Sequence, residues 1–552
     1  MKNLMFFLLV IVFAFAGCSN SSKKADADND AAGDESTDVD EVADDTGDEA
    51  ADSIDEIAES DESSDSDESD SFFETVSIES GTVKGVVKEG VVTFKGIPYA
   101  EPPVGELRWI APVEKAAWEG TLEAKAYSKA CPQSVAVGSG QVLDWSEDCL
   151  YLNVFRPDDT KKDMPVMVFI HGGGYVNGAS SLETYEASWL STQGVIIVTI
   201  NYRLGQLGFV AIPDTEIKGN YGTLDQIAAL EWVKKNIKAF GGDPENVTIF
   251  GESAGAMSVG TMIALRPDLF KRAIIESGTI AWGDAMKKAD ADDQGTRFVE
   301  AAGCKDAEDV EKCLRDKTPE EILTYLESGI LSNQAESYGP HVDGTLFTDV
   351  PYKMAVAGDG KNIPLIIGTN LDEGTVFTYS YKSYLQTEDQ YKNVVTTQFG
   401  AAFAPTVLAE YPISDYTSPW NAYTDLFADL YFNCSSILMA RDFAKFNKNI
   451  RYYRFSHVPD YGATYGLGCF HGAELGYLFN TWYDIYKNTE AGYDETVENI
   501  TGLWIKFATD GELPDWPVYD ADENYLDISS ELEVKTELEK KNCDFWSTYF
   551  PI

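Results

Sequence analysis

Gly251-Glu252-Ser253-Ala254-Gly255 follows the β-branched and aromatic run Val247-Thr248-Ile249-Phe250 and precedes Met257, Val259 and Met262, which lead into a helical stretch. A strand, a sharp turn and a helix in this order would hold the Ser253 hydroxyl clear of a sheet, with glycine at the two positions where a Cβ would crowd the turn. A hydroxyl held this way can act as a nucleophile, although the same pentapeptide alone can also open an ordinary helix. The chemistry needs three further parts. A base must take the hydroxyl proton, a carboxylate must orient that base, and N–H groups must receive the charge that develops on a carbonyl oxygen.

The sequence offers candidates for each. His171-Gly172-Gly173-Gly174 stands directly after the apolar run Val166 to Ile170, so its backbone N–H groups can approach a substrate oxygen with no side chains in the way. The N–H of Ala254 would be a further donor. Only four histidines are available: His171, His341, His457 and His471. His171 belongs to the glycine loop and is assigned packing or hydrogen bonding behind the donors. His341 sits within the turn Gly339 to Gly344, and His457 follows the strand Arg451 to Phe455. His471 lies in Gly468-Cys469-Phe470-His471-Gly472, a glycine-flanked loop near the C-terminus after the last strands read, where a base is expected. The carboxylate is sought between serine and histidine. Asp372 and Glu373 both stand in the loop after the strand Pro364 to Gly368, and the residues alone do not choose between them.

The elements around these residues set the fold class. Val76 to Ala100 alternates short Val, Thr and Phe runs with Gly81, Gly85, Gly90 and Gly96, which predicts small antiparallel strands. From Met164 the pattern changes: Val166 to Ile170 and Val195 to Ile200 are continuous apolar runs, as strands covered on both faces of a parallel sheet read. Ile227, Leu230, Val233, Ile237 and Phe240 recur at three and four residues and predict a helix with one apolar face, stopped by Gly241-Gly242-Asp243-Pro244. Later strands are read at Ala273 to Ile275, Pro364 to Ile367 and Arg451 to Phe455. Alternating strands and helices predict an α/β protein with a large, mostly parallel sheet. Within it, the order serine, acidic residue, histidine is that of the α/β-hydrolase fold.

Composition bounds the setting. Residues 1–17 hold Lys2, an apolar run from Leu4 to Ala16, and Gly17 before Cys18, which reads as an export signal too short to span a membrane. Phe15-Ala16-Gly17-Cys18 resembles a bacterial lipoprotein box, in which Cys18 becomes the lipidated first residue, although Phe15 stands where Leu is commonest. Residues 18–71 form an acidic tether: Ser19 to Ser71 carries 22 carboxylates against Lys23 and Lys24 and cannot bury enough apolar surface to fold. The remaining body, 72–552, has 39 basic and 70 acidic residues, a net charge of −31, which disfavours nucleic acid as a partner. It contains no linker or internal repeat and reads as one large domain with insertions. Apart from Cys18 there are seven cysteines, so one is odd; Cys131 with Cys149, and Cys304 with Cys313, would each close a small loop.

Glu147-Asp148-Cys149-Leu150-Tyr151-Leu152-Asn153 and Phe240 through Gly255 resemble the two signature segments of the type-B carboxylesterases, the carboxylesterase/cholinesterase family. Asn201-Tyr202-Arg203-Leu204-Gly205 and Asp372-Glu373-Gly374 are similar to further segments, so the resemblance runs from about Val76 to the C-terminus. It implies that Glu373 rather than Asp372 is the carboxylate, that His471 is the base, and that Gly173, Gly174 and Ala254 form the oxyanion hole. It also implies disulfides Cys131 to Cys149, Cys304 to Cys313 and Cys434 to Cys543, leaving Cys469 free as a buried, inert thiol. The chain departs from cholinesterases between Cys131 and Cys149, where the loop is shorter and the choline-binding tryptophan has no counterpart, Trp145 standing much closer to the second cysteine.

The expectation is a membrane-anchored serine carboxylesterase at the cell envelope, acting on a small ester through a Ser253-His471-Glu373 triad with no metal or organic cofactor. Two alternatives stand beside it: a lipase-like esterase on longer acyl chains, and a surface binding protein of the same fold that has lost catalysis.

Overall fold

The computed structural model describes residues 73–133, 143–281, 285–326, 337–486, 488–538 and 540–549. The signal segment, Cys18 and the acidic stretch lie outside them. The strands are β1 (Thr75–Ile78), β2 (Gly81–Lys84), β3 (Val86–Lys88), β4 (Val91–Pro98), β5 (Thr121–Glu123), β6 (Tyr151–Pro157), β7 (Met164–Ile170), β8 (Ile196–Ile200), β9 (Gly242–Glu252), β10 (Arg272–Glu276), β11 (Leu365–Asn370), β12 (Ile450–Phe455), β13 (Tyr525–Ile528) and β14 (Leu532–Lys535). Eleven of them form one sheet in the order β14-β13-β12-β11-β10-β9-β7-β8-β6-β4-β3. From β13 to β8 every neighbouring pair is parallel, while β14, β6, β4 and β3 join the edges antiparallel.

The expected N-terminal strands divide between two sheets. β1 and β2 pair antiparallel, with β5 added parallel to β2. β3 and β4 instead extend the edge of the large sheet.

The parallel core forms because its strands have no polar face. All five residues of β8 and all but Pro165 of β7 are buried. Burying each Val, Ile or Phe side chain contributes about 1.5–3 kcal/mol, which a strand with a solvated face would forgo at every second position. Helices complete the layers. Tyr221–Asn236 and Ala254–Leu265 pack on β9, and Tyr493–Thr509 packs on β7 and β9. The predicted helix through Phe240 tightens into a 3₁₀ turn at Ile237–Phe240, and Gly241 ends it at φ 83°.

Three disulfides are formed, Cys131–Cys149, Cys304–Cys313 and Cys434–Cys543, and Cys469 is free and buried. Three such bridges mark an exported protein. Among the described residues no helix is long and apolar enough to cross a membrane.

Candidate active site

β9, in the middle of the sheet, ends at Glu252, and the chain turns at once into the helix Ala254–Leu265. The turn residue, Ser253, takes φ 58° and ψ −125°, a conformation that costs a non-glycine residue about 1–3 kcal/mol and persists only where the surroundings impose it. Here the surroundings do so: the Ser253 N–H donates to the Glu276 carbonyl at 2.9 Å, and the Ser253 carbonyl accepts from Met257 N–H at 3.0 Å. A Cβ on Gly255 would collide with the carbonyl oxygen of Ile170, so helix and sheet approach this closely only through glycine. Ser253 is buried and its Oγ makes no hydrogen bond.

The glycine loop lies against this turn. A Cβ on Gly172 would stand 3.0 Å from Ser253 Cβ. Gly173 and Gly174 take φ 103° and 59°, and the Gly173 carbonyl accepts from Val176 and Asn177 N–H, both at 3.0 Å. Ala254 opens a helix, so its N–H belongs to the first turn, which has no intrahelical acceptors. His171 stacks on Tyr202, with ring centroids 4.5 Å apart, and burial holds its pKa down to about 4. Its Nδ1 also lies 2.9 Å from the Gly172 carbonyl, so it packs and hydrogen-bonds within the glycine loop.

On the other side, β11 ends in Asn370 and the loop that follows carries Asp372 and Glu373. The two neighbours point to different partners. Glu373 Oε2 lies 2.5 Å from His471 Nδ1, and Glu373 Oε1 accepts Asn370 N–H at 2.6 Å. Asp372 instead accepts Cys469 N–H at 2.8 Å, while its own N–H donates to the Cys469 carbonyl at 2.9 Å, so it staples the histidine loop. The His471 ring is fully buried beside Phe432 and Phe377, with centroids 4.6 and 5.1 Å away. Its Nε2 is 2.9 Å from Glu252 Oε1, off line for a hydrogen bond. No hydrogen bond joins Nε2 to Ser253 Oγ, and such bonds often tighten only around substrate. Burial disfavours the imidazolium, but Glu252 and Glu373 outweigh it and raise the His471 pKa to about 10.

Three carboxylates here carried no assignment from the sequence. Glu252 and Glu276 are register partners on β9 and β10. Glu276 and Glu474 are fully buried, and the Glu474 carboxylate accepts from the Asn370 side chain. Burial raises both pKa values, reinforced by repulsion from Glu474 and Glu252 at Glu276 and from Glu252 and Glu373 at Glu474, which favours their protonated forms. Glu252 does stand inside a quoted motif, but nothing in that motif shows that the sheet pairs it with Glu276.

Cys469 is a buried thiol whose Sγ–H donates to the Phe455 carbonyl at 3.1 Å, and burial pushes its pKa up. His341 and His457 lie elsewhere. The former pairs with the Lys218 carbonyl through Nε2, and the latter pairs with Glu490 and Thr496.

A serine on a strand-turn-helix elbow above a mostly parallel sheet, facing a glycine loop and a histidine–carboxylate pair, is the architecture of an α/β-hydrolase. Comparison with known proteins narrows this. Residues 73–546 match the model of the carboxylesterase family. Para-nitrobenzyl esterase of Bacillus subtilis is 34% identical over 489 residues, covering 85% of this chain and 97% of that protein. Mouse cholinesterase is 33% identical over 527 residues, covering 86% and 87%, and rat carboxylesterase 1D is 33% identical over 510 residues, covering 83% and 88%. The solved structure titled PNB esterase superposes with a TM-score of 0.73 at 32% identity, covering 86% of this chain and 99% of that one. The chain belongs to the carboxylesterase family and is a carboxylic ester hydrolase.

Proposed function

We propose that Ser253, His471 and Glu373 hydrolyse a small carboxylic ester in two acyl-transfer steps. Ser253 Oγ attacks the ester carbonyl carbon as His471 Nε2 takes its proton. The tetrahedral oxyanion is received by the N–H groups of Gly173, Gly174 and Ala254. Collapse breaks the bond to the alcohol, which leaves with the proton from His471; water then repeats the sequence on the acyl-enzyme and frees the acid and Ser253. Glu373 holds the ring through Nδ1, so that Nε2 alone meets the hydroxyl. The observation that carries this reading is the strained Ser253, its hydroxyl without a hydrogen bond, next in the chain to Glu252, whose carboxylate lies 2.9 Å from Nε2 of a histidine held by Glu373 at Nδ1. Ser253→Ala should abolish turnover of a short-chain aryl ester with the melting profile unchanged; full turnover in that variant would end the proposal.

The rest of the chain fits an enzyme held off a surface. Residues 1–17 are proposed as the signal, Cys18 as the lipidated residue, 18–71 as the acidic tether and 72–552 as the catalytic domain. Radioactive fatty acid should label the wild type in the native host and leave Cys18→Ala unlabelled; an unlabelled wild type would remove the anchor.

A further inference from the structure

Two of the motifs quoted from the sequence, Glu147 to Asn153 and Asn201 to Gly205, supply no group to the reaction proposed above. Both end, together with the Cys131–Cys149 disulfide, on the segment that leaves the glycine loop.

Gly178 is the point of contact. A Cβ there would lie 2.5 Å from His171 Nδ1 and 2.7 Å from the Gly172 carbonyl oxygen, so this residue rests directly on the back of the loop. Gln133, 4% exposed, brackets its peptide groups: Gly178 N–H donates to Gln133 Oε1 at 3.0 Å, and Gln133 Nε2 donates to the Gly178 carbonyl at 3.0 Å. The same Nε2 donates to the Cys131 carbonyl at 3.0 Å. Two residues on, Ser180 N–H donates to Asn201 Oδ1 at 2.8 Å, and Asn201 Nδ2 donates to the carbonyl of Cys149 at 3.2 Å. Asn153 Nδ2 adds a bond to Ser180 Oγ at 3.0 Å. At the other end of the loop, Tyr202 O–H donates to the His171 carbonyl at 2.9 Å.

Each half-cystine carbonyl therefore holds one buried amide side chain, and each amide holds one backbone N–H of the segment 178–180. We infer that Gln133 and Asn201 are positioning residues that fix the glycine loop with the Gly173 and Gly174 N–H groups aimed at the reacting carbonyl oxygen, and that the Cys131–Cys149 bridge is the base on which both stand. The inference rests on reading those two glycines as oxyanion donors. A run of three glycines has little conformational preference of its own and keeps one shape only through bonds made to it from outside. A displacement of about 1 Å at a reacting centre costs on the order of 10²-fold in rate. An amide suits the task because it donates and accepts at once. A carboxylate would keep the bond from Gly178 N–H and lose both bonds to carbonyls.

The test uses the full chain with Gln133→Ala and Gln133→Glu. Turnover of p-nitrophenyl acetate is measured beside inhibition by an aryl trifluoromethyl ketone, whose serine adduct carries an oxyanion. In Gln133→Ala, kcat should fall by about 10-fold to 10²-fold with KM within about twofold, and Ki for the ketone should rise by the same factor. Gln133→Glu should lie between this and the wild type. Unchanged kcat and Ki in a folded Gln133→Ala, or a lowered melting temperature with kcat unchanged, would overturn the inference. If Gln133→Ala does not fold, Gln133→Glu and Asn201→Asp decide by the same split between kcat and KM. Ser253→Ala is assayed alongside: turnover retained there removes the donor reading itself, whereas turnover lost there but intact in Gln133→Ala removes only the positioning role.

Discussion

Among the described residues two histidine–glutamate pairs are buried, His471 with Glu373 and His457 with Glu490, and only the first is proposed to serve a nucleophilic serine. His471 Nδ1 is 2.5 Å from Glu373, and its Nε2 makes no hydrogen bond. His457 Nε2 is 2.8 Å from Glu490, and its Nδ1 is 3.1 Å from the hydroxyl of Thr496. Thr496, His457 and Glu490 thus repeat the hydroxyl, imidazole and carboxylate of a triad. Yet the Thr496 hydroxyl donates to the Gly492 carbonyl within a helix, and Glu490 is occupied by Tyr477 O–H and Asp460 N–H. Every group in that cluster is satisfied. The comparison teaches that composition does not make such a site. What distinguishes the His471 side is a ring nitrogen that makes no hydrogen bond, a serine forced into a rare backbone conformation, and a glycine loop packed against that serine.

The sharpest way to break the contrast is to remove each imidazole in turn. His471→Gln should lower kcat by about 10⁴-fold to 10⁶-fold. His457→Gln should leave kcat within about threefold and instead lower stability by about 1–3 kcal/mol, through the buried partners left unpaired. Chemical denaturation beside steady-state kinetics measures both, and a reversed pattern would exchange the roles of the two pairs.

The carboxylates come next. Glu373→Gln should lose on the order of 10⁴-fold in kcat, because the ring is then held in the wrong tautomer. Asp372→Asn, whose side chain bonds the histidine loop at Cys469 N–H rather than the imidazole, should lose far less. Equal losses would contradict the division of labour between these neighbours.

The smallest expected effect is a shift in pH dependence. In the proposed reaction the base is the neutral His471 imidazole, and Glu252 and Glu373 raise its pKa. The acid limb of kcat/KM should therefore lie above the ordinary histidine value of 6.5, and Glu252→Gln should move it downward. Folding stability has the same sign. The pairing stabilises fully below 6.5 and is lost as the pH rises through about 10. A limb unmoved in Glu252→Gln would show that this carboxylate does not act on His471.

The two halves of the site differ in how far they could be read in advance. The elbow and the glycine loop are each written in a few consecutive residues, because a tight turn needs its glycines at fixed local spacing. The other half is assembled from Asn370, Glu373, His471 and Glu474, which the sheet brings together across about a hundred residues. Residue types alone left Asp372 and Glu373 open, and only the family resemblance chose. The orientation of β11 and its loop turns one toward His471 and the other toward Cys469. Glu276 was invisible for a similar reason: its burial follows from the register of β10 on β9, which no local pattern encodes. The parallel core was legible because two-sided burial makes its strands apolar throughout. The split of the N-terminal strands between two sheets was not, since both groups share the same short alternating pattern.

The most direct test is to trap the acyl-enzyme. A slowly deacylating aryl carbamate, followed by proteolysis and mass spectrometry, should give one adduct on Ser253, formed at least about 10³-fold more slowly in His471→Gln and at the wild-type rate in His457→Gln. An adduct on any other residue, or labelling of Ser253 that does not depend on His471, would contradict the account.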